Sequence, residues 1–139
     1  MTIYTDGGCN HNPGGKGGIG IVIIDNDKVS EICEAYEPTT NNRMEILAIC
    51  KALEMVSCKA TIYTDSEYAL KCATNEYKRK KNLDLWDYFD KVAKGKKIDY
   101  IWVKGHAGNE LNERADYLAT KAIEELDPLY DKNYERRLP

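Results

Sequence analysis

The chain has 139 residues, of which 42% are hydrophobic and 31% are charged, and its formal net charge is −3. This length predicts one domain with a buried core, and the composition excludes a wholly disordered chain. The sequence lacks both a run of about 18 apolar residues and a charged, apolar leader after Met1, so we expect neither a membrane association nor a secretory signal. The five cysteines form no C-x-x-C pair, which favours free thiols in a reducing cytoplasm over disulfides or a zinc site.

Glycines and other turn residues divide the chain into strands and helices. The predicted strands are residues 2–5, 19–24, 28–36, 61–64 and 100–103. The predicted helices are residues 43–56, residues 67–73, a third that follows Asn82 as its N-cap, and a last one with an apolar stripe from Leu111 to Ala122. The order βββαβααβα indicates an α/β (α+β) fold, a mixed five-stranded sheet with helices on both faces. We expect one domain over residues 1–126 and a polar tail, 127–139, that docks loosely.

One pentapeptide, Thr-Ile-Tyr-Thr-Asp, occurs twice, at residues 2–6 and 61–65. Each copy is a predicted strand that ends in an aspartate, so Asp6 and Asp65 stand at carboxyl ends of strands, where ligands of open sheets gather. Either aspartate alone also fits a turn or a helix cap, and Asp65-Ser66 would cap its helix well. The matched pair favours a shared site.

Glu45 lies on an unexpected face of the first predicted helix. At about 100° per residue, Ala48 and Ile49 lie close to its direction, whereas the charged Lys51 lies on the far side. Because an unpaired carboxylate on an apolar face costs several kcal/mol, we expect a compensating partner for Glu45. A capping box, in which Glu45 reaches back to Asn42 as the N-cap, is an alternative explanation of the spacing.

Asp116 stands at the margin of the apolar stripe of the last helix, where an aspartate is ordinary. With Asp6, Glu45 and Asp65 it would form a set of four carboxylates from two strand ends and two helices. Clustered anions repel one another unless cations neutralise them, and oxygen ligands suit Mg²⁺ or Mn²⁺. Two such ions roughly 4 Å apart would stabilise the attacking and leaving oxygens of a phosphodiester displacement.

Positive charge is concentrated in one segment of the chain. Residues 71–104 carry ten Lys or Arg and five Asp or Glu, a local net charge of +5, which leaves −8 for the other residues. Such a basic segment can bind phosphates while the acidic remainder attracts cations. A solvated, lysine-rich surface explains the same charges equally well.

Five motifs follow one another along the chain: DGGC at residues 6–9, TNNRME at 40–45, TDS at 64–66, VKGHAG at 103–108 and NERAD at 112–116. Together they resemble the type 1 ribonuclease H family. The resemblance implies a ribonuclease H-like fold and an endoribonuclease that hydrolyses the RNA strand of RNA–DNA hybrids by two-metal-ion catalysis, leaving 5′-phosphate and 3′-hydroxyl ends. It implies two Mg²⁺ ions, or Mn²⁺, as cofactors and His106 as an aid to proton transfer or product release. The metal-binding catalytic acids implied by it are Asp6, Glu45, Asp65 and Asp116.

The resemblance also implies contacts with the substrate. Positions that contact the RNA minor groove and its 2′-hydroxyls are matched by Cys9, Asn12, Asn41 and Asn42. A pocket for a DNA-strand phosphate is matched by Thr40 and Asn82, and an aromatic residue near the DNA channel by Trp86. A short remnant of the longer basic segment of many relatives is formed by Lys78, Arg79, Lys80 and Lys81. The asparagines also fit as turn and cap residues, and Trp86 fits equally as a core anchor of its helix.

Two departures from the family pattern concern substrate affinity. Glu67 stands where many relatives have a glutamine, and the short basic segment predicts modest affinity or help from a partner. A binding module that has lost catalysis and a domain released from a reverse transcriptase are alternatives, whereas the length leaves no room for a two-domain ATPase. We expect a monomer that acts on RNA–DNA hybrids.

Overall fold

The computed structural model describes residues 1–105 and 107–131, and the element order within them is βββαβααβα, as predicted. The strands are β1 (Thr2–Cys9), β2 (Gly17–Asp25), β3 (Lys28–Tyr36), β4 (Lys59–Thr64) and β5 (Lys97–Trp102). The helices are α1 (Asn41–Glu54), α2 (Glu67–Ala73), α3 (Leu83–Ala93) and α4 (Glu110–Glu125). Strands β1 and β2 extend beyond their predicted limits because their glycine-rich ends pair with each other, Gly8 opposite Gly18 and Cys9 opposite Gly17.

The five described strands form one mixed sheet in the order β3-β2-β1-β4-β5. Strand β2 is antiparallel to β1 and β3, whereas β1, β4 and β5 run parallel. The two copies of the repeated pentapeptide pair in register on β1 and β4, and the Tyr4 and Tyr63 rings stack with centroids 4.5 Å apart. This register places Asp6 and Asp65 directly after the last β1–β4 pair, Thr5 and Thr64, although β1 itself continues to Cys9 along β2.

Alternate residues of β1 enter different cores, which confirms helices on both faces of the sheet. Ile3 is buried in a cluster with residues of α1 and α3, among them Ile49 and Phe89. Tyr4 is buried on the opposite face with Leu118 of α4. A fully buried Ile or Leu stabilises the fold by roughly 1.5–3 kcal/mol, so these two cores fix α1 and α4 against opposite sides of β1.

Helix α1 begins two residues earlier than predicted. Thr40 is its N-cap, with an extended backbone and a side chain that accepts a hydrogen bond from the Arg43 backbone N–H. The alternative in which Asn42 caps the helix and Glu45 reaches back to it is therefore wrong, since Asn42 lies within the helix. Glu45 is therefore not needed to cap α1, and its side chain is available for another contact.

The beginning of the tail is firmly held, in contrast to the loose docking predicted for it. Leu129 pairs with Tyr36 at the end of β3, and Asp131 is only 5% exposed. The predicted limit of the domain at residue 126 stays a prediction. Within residues 1–105 and 107–131, no helix has the length and apolar composition of a membrane span.

Candidate active site

Three carboxylates meet where the pairing of β1 with β4 ends. Asp6, Glu45 and Asp65 each offer an oxygen that lies within 4.8 Å of the other two. Asp6 and Glu45 are buried, and Asp65 is half-buried. The in-register pairing of β1 with β4 places the two aspartates side by side, and α1 brings Glu45 to them from one face of the sheet.

The approach of Glu45 to Asp6 depends on a glycine. A Cβ atom on Gly7 would lie 2.4 Å from the Met44 carbonyl carbon and 2.6 Å from the Glu45 nitrogen. These distances are shorter than any non-bonded contact, so only a residue without a side chain lets the backbones of β1 and α1 touch here. The Gly7 backbone also lies near enough to the Glu45 carboxylate to favour its charged form, although burial and the neighbouring acids outweigh this effect.

Asp116 reaches the cluster from the other face of the sheet. Gly20, which pairs with Asp6 across β1 and β2, lies against α4, since a Cβ there would be 2.1 Å from the Ala115 carbonyl oxygen. The next residue of α4, Asp116, lies close enough to Asp6 to raise the pKa of that carboxyl. The structure thus clusters Asp6, Glu45 and Asp65 and places Asp116 near Asp6, while the catalytic roles of the four acids stay predictions.

The electrostatics of this cluster favour a bound cation. Burial, with additional effects of the neighbouring Asp65 and Asp116, raises the pKa of Asp6 from 3.8 to about 9. Burial and the charges of Asp6 and Asp65 likewise hold the pKa of Glu45 well above its usual range. The buried Glu45 Oε1 accepts no hydrogen bond from any described residue. A divalent cation would ionise these acids and satisfy the orphaned oxygen, and the all-oxygen donor set fits Mg²⁺ or Mn²⁺.

Two residues at the end of β5 and in the loop that follows it lie against Asp65. A Cβ on Gly105 would be 3.1 Å from Asp65 Oδ2, so the loop after β5 passes beside this carboxylate. The indole N–H of Trp102 donates a 3.2 Å hydrogen bond to the Asp65 carbonyl, while the side chain remains 48% exposed. The sequence did not single out Trp102, because a tryptophan in a strand is ordinarily explained by packing. His106, the predicted mobile histidine, lies outside the described residues.

Comparison with known proteins decides the family, because the sequence model of the RNase H family matches residues 1–124. The chain belongs to the ribonuclease H family. The ribonuclease HI of Caulobacter vibrioides is 41% identical to it over 143 residues, which covers 92% of this chain and 95% of that relative. A ribonuclease H of Francisella philomiragia is 43% identical over 142 residues and covers 91% of this chain and 92% of its own length. The protein is thus a member of a family of nucleases.

Solved ribonuclease H structures share the fold. The chain superposes on LC11-RNase H1 in complex with an RNA/DNA hybrid with a TM-score of 0.76, 27% identity, and coverage of 88% of this chain and 96% of that one. The RNase H1 of the archaeon Halobacterium salinarum gives a TM-score of 0.74 at 25% identity, with coverage of 88% and 96%. These matches confirm the ribonuclease H-like fold.

The loops that carry the predicted RNA contacts of this ribonuclease H lie together. Asn12 Oδ1 accepts a hydrogen bond of 3.1 Å from the Asn41 backbone N–H, and the Cys9 thiol donates to the Thr39 carbonyl at 3.7 Å. Asn12, Asn41 and Asn42 are exposed, and Cys9 is half-buried. The positions are therefore neighbours with polar groups at the surface, while their contacts with RNA stay predictions.

Two of the predicted substrate-binding residues have structural contacts. Trp86 is 1% exposed and packs in the core, which favours the alternative of a core anchor of its helix. Arg79 lies 4.7 Å above the Trp86 ring, donates to the Cys72 carbonyl, and forms an ion pair of 2.8 Å with Asp90. Arg79 therefore has packing and ion-pair contacts within the protein, while its contact with a phosphate stays a prediction. The neighbouring lysines of the basic run, Lys78, Lys80 and Lys81, are exposed.

Proposed function

We propose that this ribonuclease H hydrolyses the RNA strand of RNA–DNA hybrids and leaves 5′-phosphate and 3′-hydroxyl ends. The observation that carries the proposal is the convergence of Asp6, Glu45 and Asp65 within 4.8 Å, with Asp116 near Asp6. Membership of the family and the likeness to a ribonuclease H1 in complex with an RNA/DNA hybrid support this choice of substrate. We place the catalytic domain at residues 1–126, in a monomeric and cytoplasmic protein.

The four acids would hold two divalent cations, Mg²⁺ or alternatively Mn²⁺. When bound, such ions supply Lewis-acid stabilisation of the phosphodiester and lower the pKa of the attacking water. The chain contributes a rigid set of oxygens, because Asp6 and Glu45 are buried on secondary structure whose backbones touch at Gly7. Asp65 is half-buried and so remains accessible to the substrate phosphate.

The proposed reaction is a displacement at phosphorus. The oxygen of a water molecule forms a bond to phosphorus, the bond from phosphorus to the 3′-oxygen breaks, and the phosphate stays on the 5′ end of the downstream fragment. The water loses a proton, and the departing 3′-oxygen gains one. We assign His106 to these proton transfers or to product release. An ordinary imidazole has a pKa of about 6.5, so it can both accept and donate a proton near neutral pH.

The surface around the acids would select the hybrid. The amides of Asn12, Asn41 and Asn42 and groups near Cys9 would recognise 2′-hydroxyls, which are present only on the RNA strand. Thr40 and Asn82 would hold a phosphate of the DNA strand. The exposed lysines of the basic run would contribute further phosphate contacts whose strength depends on salt.

A cleavage assay with three substrates tests the proposal. A labelled RNA–DNA hybrid, double-stranded RNA and double-stranded DNA are incubated with the protein in Mg²⁺, in Mn²⁺ and in chelator. We expect cleavage of the hybrid alone, only with metal, with fragments that carry 5′-phosphates. Asp65→Asn should lose nearly all activity, whereas Asp87→Asn, an exposed aspartate of α3, should retain it. Equal cleavage of double-stranded RNA, or an active Asp65→Asn protein, would contradict the proposal.

A further inference from the structure

A buried polar network lies beneath the start of α1, with Arg43 at its centre. The Arg43 side chain is 1% exposed and forms paired hydrogen bonds with two carboxylates. Its bonds to Asp131 of the tail measure 2.7 and 2.9 Å, and those to Asp84 of α3 measure 3.0 and 2.8 Å. Nη1 also donates to Asn82 Oδ1 at 3.4 Å. These bonds engage all five N–H groups of the guanidinium, which fixes its plane and position.

The network holds both residues of the predicted phosphate pocket. The Arg43 backbone N–H donates to the Thr40 hydroxyl at 3.2 Å, and its guanidinium donates to the Asn82 carboxamide. Asn82 has a left-handed backbone with φ of 58°, which an asparagine tolerates but which gains from side-chain contacts that hold it. Arg43 therefore joins the first turn of α1 to the residue that precedes α3.

Asp131 fixes this network to the segment before α1. The Thr39 hydroxyl donates a 2.7 Å hydrogen bond to Asp131 Oδ2, the same oxygen that accepts from Arg43 Nε. The backbone leading to Asp131 is held as well, since Leu129 donates to the Ala35 carbonyl at 2.8 Å and accepts from the Glu37 N–H at 2.9 Å. One tail residue thus links Thr39 to Arg43 from a site closed to solvent.

We propose that Asp131 is a positioning residue for the phosphate pocket of Thr40 and Asn82, through which the C-terminal tail sets affinity for the nucleic acid. The inference rests on the proposed function. Without the Asp131 carboxylate, Arg43 keeps its pair with Asp84 but loses its tie to Thr39. Thr40 and Asn82 are then less well ordered before the substrate arrives, and binding must order them. The acids at the sheet edge stay in place, so the chemical step is unaffected.

The test compares binding with turnover in Asp131→Asn, which keeps the size of the side chain and removes its charge. The dissociation constant for a labelled hybrid is measured in an Asp65→Asn background that does not cleave, and KM and kcat are measured in the otherwise unchanged chain. We expect the dissociation constant and KM to rise about three- to tenfold, the effect of weakening one or two hydrogen bonds, with kcat within about twofold. Thr40→Ala should weaken binding alone but add little to Asp131→Asn, because both act on one pocket.

Two controls separate positioning from loss of stability. Leu53→Ala creates a cavity at the far end of α1 and should lower the melting temperature without changing the dissociation constant. Glu31→Gln removes the exposed ion pair with Arg114 and should change neither. If Asp131→Asn does not fold, Thr39→Val, which removes only the 2.7 Å hydrogen bond, is tested in its place with the same expectation.

The outcomes distinguish this inference from the proposed function. Unchanged hybrid binding in a folded Asp131→Asn protein, an equal loss in Leu53→Ala, or full additivity with Thr40→Ala would overturn the positioning role and leave the nuclease activity standing. A wild-type protein that binds the hybrid but does not cleave it would overturn the proposed function alone. A wild-type protein that does not bind the hybrid would overturn both.

Discussion

The ionisation of Asp6 gives a quantitative test of the acidic cluster in the absence of metal. Burial and the neighbouring acids raise its pKa from 3.8 to about 9. Between these two values the native state binds more protons than the unfolded state. The free energy of unfolding therefore falls as the pH rises through this window, the direction expected for a carboxyl group whose folded pKa is raised.

The size of the effect follows from the two pKa values. Neutral pH lies about 3 pH units above the pKa of an unfolded aspartate, and each unit is worth 1.36 kcal/mol, so keeping Asp6 in the metal-free cluster at pH 7 costs up to about 4 kcal/mol. Asp6→Asn removes this cost because an amide is neutral at every pH. We expect the metal-free variant to melt up to about 14 °C above wild type at pH 7 and close to wild type near pH 4.

Thermal unfolding followed by circular dichroism, from pH 4 to pH 8, measures this difference in chelator and again in Mg²⁺. Mg²⁺ should stabilise the wild-type protein and have little effect on Asp6→Asn, which lacks one ligand. Asp87→Asn is the matched control, since it removes an exposed aspartate from α3. A stability difference that does not change with pH, or an Asp6→Asn protein that is less stable than wild type at pH 7, would refute the reasoning.

Other predictions concern the basic run and the histidine. Replacing Lys78, Lys80 and Lys81 together with Gln should lower the slope of log affinity against log salt by up to about 3, measured by hybrid titration, and an unchanged slope would show that they are only a solvated surface. Arg79→Gln should instead cost about 1–2 kcal/mol of unfolding free energy, through lost packing over two aromatic rings, and leave that slope unchanged. His106→Ala should slow turnover by up to about 10²–10⁴-fold and remove a break near pH 6.5 from the rate profile, and an identical profile would contradict its role in proton transfer.

Much of the acidic cluster was predictable because short sequence patterns mark three of its residues. The repeated pentapeptide placed Asp6 and Asp65 at equivalent strand ends, and in-register pairing of the two copies makes them neighbours. Glu45 was recognisable as a carboxylate on a face that is otherwise apolar, which 3.6-residue periodicity reveals without any structure. Asp116 carried the weakest local signal, since an aspartate at the margin of a stripe is common.

The features that the sequence did not predict depend on pairings between particular side chains. Asp131 lies 88 residues from Arg43, and a polar tail gives no sign that one of its acids is buried beside an arginine. Arg79 sits within a run of lysines, yet its stem packs on the core through Trp86, whose own burial the helical pattern had offered as one alternative. The composition of a segment indicates the average exposure of its residues, whereas the burial of one charged side chain depends on whether it has a partner.

The glycine after Asp6 shows how one backbone contact couples the fold to the proposed chemistry, and Gly7→Ala tests that coupling. A methyl group there would lie 2.4 Å from the Met44 carbonyl carbon, so α1 must move away from β1 and take Glu45 with it. Overpacking of this kind costs about 1–3 kcal/mol, whereas a shift of about 1 Å between catalytic groups can cost 10²-fold in rate. We therefore expect kcat to fall by about that factor in a protein that still folds, and Mg²⁺ to raise its melting temperature less than that of wild type.

Gly8→Ala provides the control at the adjacent position of the same strand, because no described atom lies within 4 Å of a Cβ built there. It should keep its Mg²⁺ response and most of its activity, apart from any direct effect on substrate. If Gly7→Ala retained kcat and the Mg²⁺-dependent stabilisation of Gly8→Ala, the close approach of β1 and α1 would not be what holds Glu45 to Asp6. The remaining packing of α1 against the sheet would then have to hold Glu45 in place, because Glu45 belongs to neither strand.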